Sequence, residues 1–364
     1  MNITFVISTL AKGGSERVTS ILANRFSEGQ YKVTILTLFN SKISYDINTD
    51  INIISLGQEQ PSDKKPFILK LYHYLRRIID LGQYFRNKNE TIIVIGSDIL
   101  NATIAISKFL YNFKSKLILT IRSNPIFSRK LVLRKIIYSF YKFADLIIVQ
   151  SLLNKEFIAN QCPKNRTEVI KNPSTFKNHR RAKENTKYDF LTVGRIHPLK
   201  NQLDIVKAIK ILNLEQGKKF NLCIVGRNQG AQKKILNYIK KHNLDKYIFL
   251  KGEVDDMYHI YSKSKFFVHY SNYEGQSNVV IEAQSLGLPS IVSNIQGIDE
   301  IIMHNHNGIV VDKNNPELLA KQMNKLASNS LLQKKIINNS QKLSDQYTID
   351  NIFSRWNELL MGLV

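Results

Sequence analysis

The stretch HYSNYEGQSNVVIEAQSLGLPSIVSN, residues 269 to 294, puts two glutamates on either side of a change in pattern. The Ser/Asn/Gly-rich part reads as a loop, with Glu274 beside Gly275, where that loop must turn. Glu282 lies within an apolar run of Val279, Val280, Ile281 and Ala283. The run stops at Gly287 and Pro289, a helix terminator, and SIVSN follows as a short apolar strand. The local order is therefore strand, loop, helix, loop, strand. A carboxylate entering the first turns of such a helix costs free energy unless donors meet it. Both acids call for hydrogen-bond donors.

The same alternation extends over the 364-residue chain. NITFVIST, KVTILTLF, TIIVIG, KLILTIR and ADLIIVQS read as strands in the first half. YDFLTVG, FNLCIVG, YIFLKG, KFFVHYS and PSIVSN follow in the second. Amphipathic helical patterns fall between them, as at residues 15–28, 202–215 and 316–328. Short apolar strands separated by helices predict parallel sheets covered on both faces. The polar stretch VIKNPSTFKNHRRAKENTKYDF interrupts the pattern and marks a boundary. The expected fold class is α/β, with two doubly wound parallel-sheet domains. The first spans residues 1–178 and is completed by 346–364; the second spans 179–345. A cleft between strand C-terminal edges is the usual ligand site of this architecture.

Composition narrows the function. With 43% hydrophobic residues, the chain can bury a large core. Its two cysteines, Cys162 and Cys223, stand alone without metal-ligand spacing, which fits a reducing compartment and argues against a disulfide or zinc framework. The opening MNITFVISTL lacks a basic leader region and reads as a first strand rather than a signal peptide. The apolar stretch around TIIVIGSDILNATIAISKFL is broken by Asp98, Asn101 and Lys108 and does not read as a membrane span. The net charge is +23, unevenly placed: residues 1–180 carry 27 Lys+Arg against 12 Asp+Glu, and residues 181–364 carry 25 against 17. Such an excess points to polyanions: nucleic acid, an acidic membrane or phosphorylated substrates. A Lys/Asn/Ile-rich codon bias would explain much of it equally well.

The chemistry-bearing motifs sit at predicted strand ends. Gly13 and Gly14 follow the first strand, where the backbone can approach a ligand and Ser15 can cap the next helix. Gly194, Arg195 and Lys200 follow the first strand of the second half, and Arg227 follows the next. Taken singly, each is an ordinary turn or solvated face. Their order along the chain is the informative feature.

That ordered set resembles the retaining glycosyltransferases of family 4, with the GT-B fold, over nearly the whole length. The motifs are GGSERV (13–18), ADLIIVQS (144–151), VIKNPS (169–174), VGRIHPLKNQ (193–202), YEGQSNVVIEAQSLGLP (273–289), GIDEII (297–302) and HNGIVV (306–311). The resemblance implies two Rossmann-like domains, an acceptor-binding first and a nucleotide-sugar-binding second, with a last helix crossing back to the first. Trp356 is the expected anchor of that helix. The resemblance also implies that Glu274 accepts from donor-sugar hydroxyls and Glu282 from the two ribose hydroxyls, since a carboxylate can accept a cis-diol with both oxygens. Arg195, Lys200 and backbone N–H groups from Gln276 through Ser277 to Asn278 would stabilise the departing diphosphate, aided by the helix dipole. Gly275 would let the loop turn there, and Gly14 would let the other domain close on the phosphates. No Asp-x-Asp occurs in the chain, so the expectation is a metal-independent enzyme without a cofactor, using a nucleotide sugar, UDP-linked, as substrate.

LTIRSNP departs from relatives that carry a histidine after the fourth strand; Arg122, Ser123 and Asn124 stand there instead. A branch acting in surface-polysaccharide assembly is similar at this point. Arg122 either orients a substrate or holds its loop. The resemblance implies transfer of a hexose or N-acetylhexosamine to a glycan acceptor, lipid-linked in that branch. The alternatives are a UDP-sugar epimerase of the same fold and a basic nucleic-acid-binding protein, which leaves the two glutamates unexplained. A Rossmann oxidoreductase would need Gly-x-Gly-x-x-Gly at the first turn, and LAKGGSERV lacks it.

The basic first half suggests a cytoplasmic protein held peripherally at the inner face of the cell membrane by anionic lipid. Residues 129–143 set Val132, Leu133, Ile136, Phe140 and Phe143 along one helical face beside Arg134, Lys135 and Lys142. Residues 66–85 repeat an apolar stripe with basic neighbours. Helices of this kind can lie in a membrane interface.

Overall fold

The structure, a computed structural model, describes residues 1–59, 66–122, 131–176 and 186–363. It divides into two compact units, residues 1–173 with 349–364, and residues 174–348.

The first unit is built on a seven-stranded sheet whose paired strands are all parallel. Its strands are β1 (Asn2–Ile7), β2 (Lys32–Phe39), β3 (Asn52–Gln58), β4 (Thr91–Gly96), β5 (Lys116–Ile121), β6 (Leu146–Val149) and β7 (Thr167–Val169). Their order is β3-β2-β1-β4-β5-β6-β7. The central strands are apolar almost throughout because both sheet faces are covered. On one face α2 (Phe67–Phe85), α3 (Asp98–Tyr111), α4 (Leu131–Phe140) and α5 (Leu152–Gln161) close over Val94, Leu119 and Val149. On the other, α1 (Gly14–Ser27) packs with the last helix, α12 (Ile349–Met361), over Phe5, Ile93 and Ile148. Trp356 is 1% exposed within that second core. It anchors α12 to the first unit as expected, and burial of an indole is what makes the return of the chain stable.

The second unit repeats the plan with six parallel strands: β8 (Tyr188–Val193), β9 (Leu222–Val225), β10 (Ile248–Gly252), β11 (Ser264–His269), β12 (Ser290–Ser293) and β13 (Ile309–Val311). Their order is β10-β9-β8-β11-β12-β13. The helices are α6 (Gln202–Lys210), α7 (Gln232–Lys241), α8 (Met257–Ser262), α9 (Asn278–Ser285), α10 (Pro316–Ser328) and α11 (Ser330–Ser344). In each sheet the strand order reverses once, between β1 and β4 and between β8 and β11. Loops diverge at such a point and leave a crevice beyond the strand C-termini.

Two local expectations are corrected. Ser15 does not cap α1: the helix starts one residue earlier, Gly13 holds the cap position without a side-chain bond, and the Ser15 carbonyl accepts from Thr19 Oγ1 at 2.9 Å. The apolar face read at residues 129–143 is split. Leu133 and Ile136 are exposed, Phe140 and Phe143 pack on the core, and Ile137, Tyr138 and Tyr141 form the buried side. The side chain of Val132 lies outside the described residues. No helix among the described residues is long and apolar enough to cross a membrane.

Candidate active site

The switch point of the second sheet collects the predicted residues. At the end of β8, Gly194 takes φ +149°, a value that strains a residue with a Cβ. Its neighbour at the end of β9, Gly226, has φ +148°, and a Cβ there would lie 2.0 Å from the Gly194 carbonyl oxygen. The two strand ends therefore touch backbone to backbone. Ile196 N–H donates to the Arg227 carbonyl at 2.8 Å, and Gln229 N–H returns a bond to the Ile196 carbonyl at 2.9 Å. The IVGRNQG loop thus braces the segment that carries Arg195. Arg195 itself is exposed, with Nη1 donating to Gln229 Oε1 at 2.9 Å.

Lys200 ends a short helical turn, Pro198–Lys200, that leads into α6. That turn is tied to the glutamate loop: Asn272 N–H donates to the Leu199 carbonyl at 2.8 Å, and Ser271 Oγ donates to the same oxygen at 3.1 Å. Across this tie Lys200 Nζ forms an ion pair with Glu274 Oε1. The same oxygen accepts from His269 Nε2 at 2.7 Å, and His269, at the end of β11, also meets Ser277 Oγ at 3.1 Å. Glu274 is 14% exposed and Lys200 19%. Oε1 thus has two donors, whereas no donor among the described residues meets Glu274 Oε2.

Burial alone would raise the Glu274 carboxyl, but the His269 bond and the Lys200 charge outweigh it and bring it down to about 2. The folded value lies below the ordinary 4.5, so this contribution to stability is complete above about pH 4.5 and is lost as pH falls toward 2. At neutral pH Glu274 is a carboxylate and an acceptor only.

Gly275 and Gln276 form the bend after Glu274, Ser277 precedes α9, and Asn278 opens it. Glu282 is one turn further on and 2% exposed. Its Oε1 accepts from Thr175 Oγ1 at 3.1 Å and its Oε2 from Tyr261 OH at 3.0 Å. Unlike Glu274, it has a donor on each oxygen.

In the first unit, Gly14 opens α1 at the end of the loop after β1. The Tyr45 hydroxyl clamps that loop, accepting from Gly13 N–H at 2.8 Å and donating to the Gly13 carbonyl at 2.7 Å. Arg122 follows β5 and donates through Nη1 to Asn172 Oδ1 of the IKNPS motif, while its Nε meets no acceptor among the described residues. Burial lowers the Arg122 guanidinium to about 9, so it remains charged at neutral pH. Ser123 and Asn124 lie outside the described residues. Lys200, Glu274 and Ser277 are thus brought together. Sequence reading missed His269, the partner of Glu274 and Ser277, as well as Tyr45, Thr175 and Tyr261; the only signal for His269 was a polar residue closing an apolar strand.

Residues 174–343 match the family model for glycosyl transferases group 1. This chain is a glycosyltransferase with a group 1 domain. It is 25% identical over 370 residues, 99% of this chain and 98% of the relative, to a Campylobacter jejuni alpha-1,4-N-acetyl-D-galactosaminyltransferase. That relative is named for the acceptor GalNAc-alpha-(1->4)-GalNAc-alpha-(1->3)-diNAcBac-PP-undecaprenol. It is 28% identical over 363 residues, 96% of each chain, to the amylovoran biosynthesis glycosyltransferase AmsD of Erwinia amylovora. Its fold is similar to that of Anabaena HepE, solved in complex with UDP and glucose, with a TM-score of 0.79, 16% identity and 99% of each chain covered. The two Rossmann-like units are those of the GT-B fold. The glycosyltransferase therefore carries its Lys200–Glu274 pair within the matched domain.

Proposed function

We propose that this glycosyltransferase is a retaining family 4 enzyme that moves a hexose or N-acetylhexosamine from a UDP-sugar to a lipid-linked glycan at a membrane surface. The observation that carries the proposal is Glu274: a carboxylate held at one oxygen by Lys200 and His269, with the other oxygen open, at the switch point of its sheet. Such an acceptor suits sugar hydroxyls. As the bond from the anomeric carbon to the diphosphate lengthens, charge grows on the phosphate oxygens and the sugar becomes oxocarbenium-like. Lys200 and Arg195 supply the cations for that charge, the start of α9 supplies N–H groups and its dipole, and Gly14 allows close backbone approach. Glu282 takes the ribose hydroxyls. Arg122, a half-buried cation whose Nε meets no acceptor among the described residues, serves the transfer by orienting a substrate.

The names of the relatives support UDP and a polyprenyl-diphosphate acceptor. The test is turnover with a panel of UDP-sugars and a polyprenyl-diphosphate-linked glycan. Product with the anomeric configuration of the donor is expected, with activity in EDTA close to that without it. Turnover of a UDP-sugar without any acceptor would favour an epimerase, and complete loss in EDTA restored by manganese would overturn the cation roles of Lys200 and Arg195.

The membrane part of the proposal is supported by α2. Ile68, Leu71, Tyr72, Leu75 and Ile79 repeat at helical spacing, and Ile68 is 81% exposed, the others 44–54%. The core is met instead by Ile78, Leu81 and Phe85. The stripe therefore faces outward, where an apolar face with exposed Arg76 and Arg86 nearby suits a lipid interface. The exposed Leu133 and Ile136 of α4 add to it, α4 packing beside α3 and α3 beside α2. Close cations contribute about 1 kcal/mol each at an anionic surface. Vesicles rich in anionic lipid are expected to float the protein at low salt and release it at high salt. Ile68→Asp with Leu71→Asp should abolish flotation, and equal indifference of the parent protein to anionic and neutral vesicles would refute the membrane role.

A further inference from the structure

We infer that His269 is a positioning residue for Glu274: it keeps the carboxylate oriented when the donor diphosphate draws Lys200 away. The inference rests on the proposed role of Glu274 in the transfer. Glu274 Oε1 has two donors, and they differ in what they can do next. Lys200 stands on a flexible stem and is the cation proposed for the diphosphate. Once it turns to the phosphates, its bond to Glu274 is lost. His269 cannot follow. It is 3% exposed, closes β11 and lies parallel to the Phe267 ring at an interplanar angle of 7°. Its Nε2–H, held in place by the strand, still donates to Glu274 after Lys200 has left, so the carboxylate keeps its orientation.

Any buried histidine needs hydrogen-bond partners; the particular feature here is which partners it has. Here one nitrogen meets residues on both sides of the Gly275 bend, Glu274 at 2.7 Å and Ser277 at 3.1 Å. The second contact is informative. Ser97 and Ser151 cap the helices α3 and α5 by accepting from backbone N–H groups, as serines at helix starts ordinarily do. Ser277 stands in the same position before α9 and makes no such bond. Its hydroxyl is turned to His269 instead. The helix forgoes its side-chain cap, and the turn carrying Glu274 is tied at both ends to a rigid strand.

The experiment compares His269→Leu, His269→Gln and Glu274→Gln in steady-state kinetics with the UDP-sugar, alongside calorimetric titration with UDP and thermal melting. Gln can place its amide N–H near the position of Nε2; Leu cannot donate. His269→Leu is expected to lower kcat about 10- to 100-fold, the effect of one lost bond to a charged acceptor, with UDP affinity changed less than about threefold. His269→Gln is expected to recover most of kcat. If His269→Leu keeps the parent kcat while Glu274→Gln is inactive, the positioning role is wrong and the role of Glu274 stands. If Glu274→Gln keeps the parent kcat, the role of Glu274 fails and the inference with it. Should His269→Leu melt too low to assay, His269→Asn, whose shorter side chain falls short of Glu274, takes its place: equal kcat for Asn and Gln would overturn the inference, and a higher kcat for Gln would support it.

Discussion

Glu274→Ala is expected to lower kcat by roughly 30- to 1000-fold, with a change of less than about threefold in KM for the nucleotide sugar. The range follows from about 2–4 kcal/mol for losing hydrogen bonds to a charged acceptor. Two costs combine. The ligand loses the open Oε2, and Lys200 and His269 lose the oxygen on which both converge. Glu282→Ala should show the opposite division, raising KM more than it lowers kcat, because Glu282 is proposed to hold the ribose, remote from the bond that breaks. Its effect also includes freeing the hydroxyls of Thr175 and Tyr261. Parent-like kinetics for both variants with the correct donor would overturn the site assignment. A Glu274 variant that binds the donor poorly but turns over at the parent rate would exchange the two roles.

The sequence was most legible where one physical constraint dominates. Strands such as TIIVIG and KLILTI are apolar because both faces of a parallel sheet are covered, and their bounds agree with the structure to within a residue. Glycine positions were legible for a related reason: Gly194 precedes a loop whose backbone needs a positive φ. Elements shaped by exposure were not. The edge strand β3 alternates between exposed and half-buried residues and carries Asn52, Ser55 and Gln58, so it has no continuous apolar run to announce it. The strands β7 and β13 are three residues each, too short for any period to register. The stripe on α2 was visible as a stripe, but its direction was not: only the packing of Ile78, Leu81 and Phe85 reveals that the other apolar residues face outward. In the site, Glu274 and Lys200 could be named because their motifs are distinctive. Their contact spans 74 positions, and His269 joins them through a tertiary bond that no local pattern encodes.

Lys200→Ala is expected to cost on the order of 100-fold or more in kcat, and Arg195→Ala a comparable order but less of it. The ranking follows from burial. Lys200 is 19% exposed in a site where solvent screens little, whereas Arg195 is exposed and donates to Gln229. Lys200 has two roles that a single rate constant would blend, the diphosphate and the Glu274 carboxylate. They separate with pH. In the parent enzyme Glu274 sits at about 2, so its ionisation leaves the acid limb of kcat untouched across the working range. Removing Lys200 takes away the main charge that offsets burial, and His269 alone then holds the carboxylate. The Glu274 value moves up, because the Lys200 charge and bond that lower it are gone, and activity is then lost as pH falls through that higher value. The acid limb of Lys200→Ala therefore reports the part of Lys200 that acts through Glu274. The loss that remains on the pH-independent plateau reports the part that acts on the diphosphate. A plateau at the parent rate, with only the acid limb displaced, would mean that Lys200 serves Glu274 alone and that the departing phosphates are stabilised elsewhere.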